Sequence, residues 1–172
     1  MSWANLLSGL VGAVVGGLLA VVASVITMRQ QRSLALAAVV EERSQARLAA
    51  SRQACVEILG CMITIKFGLD GLATREEDSP EAVAALAAGE RIFVVHNALV
   101  EDPTLRRRID GLIELLQQWR NYCWNLNEAA KTECKNQVLD YMQYVNQSLR
   151  ENLDNHPLPA EQHLPDLEAV VN

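Results

Sequence analysis

Residues 1–28 contain no charged side chain; the first is Arg29. A solvated helix of that length carries charge, and a buried soluble helix is rarely apolar on every face. Aromatic residues make up only 5% of the chain. Its hydrophobicity comes instead from Ala, Leu and Val, interspersed with Glu, Gln and Arg, a mixture that favours helix over strand. The four cysteines, Cys55, Cys61, Cys123 and Cys134, include no C-x-x-C pair, so the spacing of a zinc site is missing. They read as small buried or half-buried helical residues rather than a disulfide scaffold. H-E-x-x-H, G-x-S-x-G and a calcium-loop acid cluster are absent too. The stretch GLVGAVVGG has no following Lys-Ser or Lys-Thr and is not a phosphate loop. No catalytic, cofactor-binding or metal-ligating residue is therefore assigned, and no cofactor is expected. The net charge of −6 gives no support to general nucleic-acid binding, and no direct sequence-specific contact to nucleic acid is expected.

What is present begins with LLSGLVGAVVGGLLAVVASVITM, residues 6–28. At about 1.5 Å per residue this helix is about 35 Å long, against a hydrocarbon core of about 30 Å. A secretory signal would open with a positive segment and have a shorter apolar run, so a transmembrane anchor is the expectation. Trp3 suits the outer boundary. Arg29 and Arg32 follow the span, with Arg43, Arg47 and Arg52 beyond, and no Lys or Arg precedes it. The positive-inside rule then puts the N-terminus outside and the rest in the cytoplasm, with Arg29 and Arg32 against the lipid headgroups. Gly12, Gly16, Ala20 and Ser24 recur every four residues and form a groove for close helix contact. The expected partners are the bilayer and either another copy or a second membrane protein.

Beyond the span, EERSQAR is polar on all sides and reads as a solvated neck. Leu48, Cys55, Leu59, Met62 and Leu69 then predict one apolar stripe ending near Gly68 or Gly71. A loop follows, to Pro80. Ser79-Pro80-Glu81 is a helix start, with cap, first-turn proline and an acid facing the dipole. The second helix runs to about Val100, with Ala85, Ala88, Ile92, Val95 and Leu99 expected on its inner side. Residues 92–95 are β-rich and leave a strand as the alternative. His96 reads as structural.

Asp102-Pro103 repeats the start signal. Leu105, Ile109, Leu112, Leu116, Trp119, Cys123 and Leu126 follow at intervals of four and three, a heptad-like seam. Arg106, Arg107 and Arg108 sit in the first turn, against the helix dipole, and form a possible partner patch beside the blander reading of a solvated face. Cys134, Val138, Tyr141, Val145 and Leu149 mark a fourth helix, either separate or continuous with the third. From Glu151 onward there are five acids and three prolines without a Lys or Arg, which predicts an extended or disordered tail. The fold expected is all-α: a single N-terminal transmembrane helix continuing into a cytoplasmic antiparallel bundle of three to four helices. Its divisions are 1–32, anchor with basic flank; 33–78, juxtamembrane helix and loop; 79–154, bundle; 155–172, tail.

The Gly-rich span, then Met28-Arg29-Gln30-Gln31-Arg32, then an Arg/Glu/Ala helix resembles small actinomycete membrane proteins, in particular the KilB-type proteins of Streptomyces conjugative plasmids. The resemblance covers residues 1–70, and the remainder only in architecture. It implies a role in plasmid transfer and spread through the mycelium, beside a membrane-bound DNA translocase and other transfer proteins, with no catalysis of its own. It carries over no catalytic residue. The competing expectation is a membrane-active phage or envelope protein of the lysis or exclusion type.

Overall fold

The computed structural model describes residues 3–74, 79–167 and 169, with side chains for 16–17, 23–73 and the later described residues. Four α-helices occur among them: α1 (Trp3–Thr74), α2 (Pro80–Asn97), α3 (Pro103–Tyr122) and α4 (Glu128–Leu153). No strand occurs among the described residues, so residues 92–95 are helical. The chain divides into two units, Met1–Ala46 and Arg47–Asn172.

In the first unit every described side chain is exposed. Thr27 and Ser33 return their hydroxyls to the carbonyls of Ala23 (2.9 Å) and Gln30 (2.8 Å), which keeps both polar groups satisfied within the helix. Among the described residues no helix is long and apolar enough to cross a membrane. The span expected at residues 6–28 lies largely outside that set, since only Gly16, Gly17 and residues 23–28 of it have described side chains. Gly12 and Ala20 of the expected helix contact likewise lie outside the described side chains.

The second unit is a four-helix bundle, built from the last part of α1 together with α2, α3 and α4. Its hydrogen bonds and close contacts give the topology. Ile65 meets Gly89, while Gly71 meets Ala82. Asn97 pairs with Asp110, and Glu90 with Arg120. Arg108 pairs with Ser148, and Gly111 meets Tyr141. Cys55 lies by Asn152, and Asp70 by Lys135. In each pair of helices one number rises as the other falls, so neighbours are antiparallel and α4 returns to α1. Five-residue connections suffice for such an up-down order.

Local chemistry sets the helix ends. Ser79 Oγ accepts from Ala82 N, with Pro80 in the first turn. Asp102 accepts from both Thr104 N and Leu105 N at 2.8 Å, with Pro103 following. A single 3₁₀ turn, Cys123–Asn125, and an extended Leu126 separate α3 from α4, and Asn127 caps the latter through Ala130 N. Two helices therefore form where one long rod was the alternative. At the end of α4, Asn155 adopts a left-handed φ of 57°. His156 N then donates to Glu151 O and Asn155 N to Asn152 O, which closes a Schellman cap.

The core rows of α3 and α4 are the expected ones. Leu105, Ile109, Leu112, Leu116, Trp119 and Cys123 are buried, as are Cys134, Val138, Tyr141, Val145 and Leu149. The row of α1 includes the expected Cys55, Met62 and Leu69, with Leu59 packed beside them, but not Leu48, and the row of α2 differs from expectation. On α1 the buried row is Ser51, Ala54, Cys55, Ile58, Cys61, Met62, Ile65, Leu69 and Leu72, while Leu48 is exposed. On α2 the inner face is Ala82, Leu86, Gly89, Phe93 and Asn97, while Val95 and Leu99 are exposed. Glycines decide this face. A Cβ on Gly71 would lie 2.7 Å from Ala82 Cβ, and one on Gly68 2.8 Å from Leu86 Cγ. One on Gly89 would overlap Ile65. The two backbones meet because no side chain stands between them.

The predicted loop at residues 71–80 is helical through Thr74, and its residues 75–78 lie outside the described set. The tail is extended, as one of its two expected forms, but it is held. Leu167 is buried, and Leu158 and Leu164 pack on the core. Pro159 O and Gln162 N are both hydrogen-bonded to the bundle. Disorder is avoided because the prolines alternate with leucines that have a surface to cover.

Candidate functional site

The three consecutive arginines of α3 go to three different places. Arg106 donates through Nε (3.2 Å) and Nη2 to the carbonyl of Val100, tying the α2–α3 connection to the first turn of α3. Arg108 is buried, with Nη1 on Ser148 Oγ and Nη2 on Pro159 O, both at 2.8 Å. Its guanidinium lies 4.8 Å from the centroid of Tyr144, a cation–π contact. Only Arg107 faces outward without such a tie. The triplet is thus not one partner patch. Two of its members are internal fasteners, and this explains how α3 tolerates them against its dipole. Periodicity carried the signal for Arg108, which follows Leu105 by three and precedes Leu112 by four.

Arg107 opens onto a cleft of about 600 Å³ between α3, α4 and the tail. Asp110, Glu114 and Glu161 give its rim a net negative charge, and Tyr141 and His163 complete the titratable groups. A Cβ on Gly111 would come within 2.8 Å of Tyr141 Oη and 3.0 Å of Leu164 Cδ1, so the bare backbone lets both reach the floor. Burial first, then the neighbouring Tyr144, raises the Tyr141 phenol, which holds it protonated. Among the described residues no hydrogen bond orients the His163 ring, and no group of His, Cys, Asp and Glu is placed to hold a metal. The rim suits a cationic or polar contact. It lacks a base aligned on a nucleophile.

The cysteines are equally poorly suited to attack. Burial pushes the Cys55 thiol up to about 11, with Asp102 adding to the rise, and the Cys61 thiol up to about 12. Cys134 is raised by burial as well. These sulfurs are protonated near neutral pH and pack as small apolar groups. The buried polar line between α2 and α3 is structural in its contacts. Glu90 pairs with Arg120 at 2.8 Å, and Asn97 Nδ2 donates to Asp110 at 2.6 Å. His96 is half-buried, with Nδ1 out of solvent and unpartnered. Burial raises the Glu90 carboxyl, and the Arg120 guanidinium only partly offsets this.

Exposed apolar surface is the more informative feature. Val56, Ile63 and Phe67 on α1 face solvent, as do Val94, Val95 and Leu99 on and just beyond α2. Single exposed apolar residues are ordinary, but rows of them along a helix mark contact surfaces. Of the residues assigned to membrane contact, Ser24, Arg29 and Arg32 are exposed, and Gly16 has open space about it. No protein-family model, curated protein or solved structure matches this chain.

Proposed function

We propose that this chain is a single-pass membrane protein whose helical unit lies in the cytoplasm and acts by oligomerising or recruiting partners, without catalysis of its own. The observation that carries the reading is the uncharged run of residues 1–28 followed directly by Arg29 and Arg32. The exposed apolar rows on α1 and α2 support docking as the work of the helical unit. The process rests on the resemblance of residues 1–70 to the KilB-type proteins: spread of a conjugative plasmid beside a membrane-bound DNA translocase. The bilayer, further copies and other transfer proteins are then the partners.

A C-terminal reporter fusion tests the arrangement. A reporter that works only in the cytoplasm is expected to be active. Activity confined to a reporter that works only outside the cell would overturn the orientation.

A further inference from the structure

The bundle uses one side of α1 and leaves the other bare. Ala54, Ile58, Cys61 and Ile65 are buried. Two residues further on is roughly half a turn around a helix, and there stand Val56, Gly60, Ile63 and Phe67. Val56 is 49% exposed, Ile63 80% and Phe67 62%. Gly60 has nothing near its missing Cβ. Their intervals of four, three and four are the spacing of a two-stranded helical seam, and Ala49 and Gln53 continue it toward the N-terminus.

The charges beside this seam select the occupant. In this register Arg52 and Glu57 are flanking residues five apart, as are Leu59 and Thr64, and the first pair carries opposite charges. Five is the offset at which flanking residues of two parallel, in-register helices meet. Both lie at the surface: Arg52 reaches Asn155 at 3.3 Å, and Glu57 accepts from Gln53 at 2.6 Å. A second copy laid parallel on the first therefore sets Arg52 against Glu57 twice, once on each side. Reversing one helix, with Val56 on Phe67 and Gly60 on Ile63, sets Glu57 against Thr64 and loses the match.

We infer that the outer face of α1, from Val56 to Phe67, is a parallel self-association surface that pairs with the same face of a second copy. This deepens the oligomerising role proposed above. The seam and its charges stand without the anchor, while the benefit of tethering two copies in one bilayer, a raised effective concentration, rests on it.

The test uses the full chain expressed in cells. Val56→Cys, Ile63→Cys and Phe67→Cys are each treated with a mild oxidant, with Arg91→Cys on exposed α2 as control; the native cysteines are buried. In a parallel in-register pair each seam residue meets its own counterpart, so each of the three variants is expected to form a disulfide dimer and the control to remain monomeric. No dimer from any of the three would overturn the inference. So would dimers that form only when Val56→Cys and Phe67→Cys are mixed, or equal yield from Arg91→Cys. In the Ile63→Cys background, Arg52→Glu is expected to lower the dimer yield roughly fivefold, and adding Glu57→Arg to restore it; no recovery would overturn the charge-matched register. The same cells are fractionated. Chains in the membrane pellet that do not crosslink would remove the pairing and keep the anchor, whereas crosslinked dimers in the soluble fraction would remove the anchor and keep the pairing.

Discussion

Glu90 shows how a single buried carboxyl can shape the behaviour of the bundle. Its raised protonation range means the folded chain holds this proton more tightly than the unfolded chain does. The stability contributed by Glu90 is therefore fully present below its ordinary value of 4.5 and is lost as pH rises through the higher folded value. Glu90→Gln removes this term while keeping an oxygen for Arg120. Melting temperatures followed upward from pH 4.5 are expected to fall less steeply for Glu90→Gln than for the parent chain. Parallel profiles would contradict the burial argument. The neighbouring arginines illustrate a different residue-scale lesson. Arg106, Arg107 and Arg108 look equivalent in sequence, yet helix phase alone sends Arg108 inward and leaves Arg107 on the rim.

At the scale of elements, the tail is tied to the bundle by two side chains, Arg108 and Tyr144. Arg108 holds Pro159 O and Ser148 Oγ together, and Tyr144 Oη accepts from Gln162 N at 3.2 Å. Arg108→Met keeps the stem and removes the donors, at an expected cost of roughly 1–3 kcal/mol. Hydrogen exchange and limited proteolysis should then rise selectively over residues 155–167, and unchanged protection there would show that the leucines suffice. The helices themselves were unequally legible. Caps at Ser79 and Asp102 were readable from the proline that follows each, and the strict seams of α3 and α4 because large apolar residues there alternate with charged ones; the Asn127 cap was not read. α2 is apolar on several faces, so periodicity could not choose between Ala85–Ile92 and Leu86–Phe93. Its inner face is set instead by where Gly68, Gly71 and Gly89 let two backbones touch. On α1 the predicted Cys55, Met62 and Leu69 are buried and Leu59 packs beside them, but the conspicuous Leu48 does not pack, and the small Ser51 and Ala54 take the inner row there. The tail's leucines were outweighed in sequence by its prolines and acids.

At the scale of the molecule, the described geometry contains thiols held protonated, a cleft without an aligned base, and a bundle with bare apolar rows. The bare rows support the docking role proposed above. Where the chain binds depends on the lipid solubility of the opening segment, whose composition is legible without any structure. The decisive measurement is extraction of isolated membranes carrying the intact chain. Retention in the pellet through alkaline carbonate, with release by mild detergent, is the expected result. Full recovery of the intact chain in the supernatant without detergent would contradict the anchor.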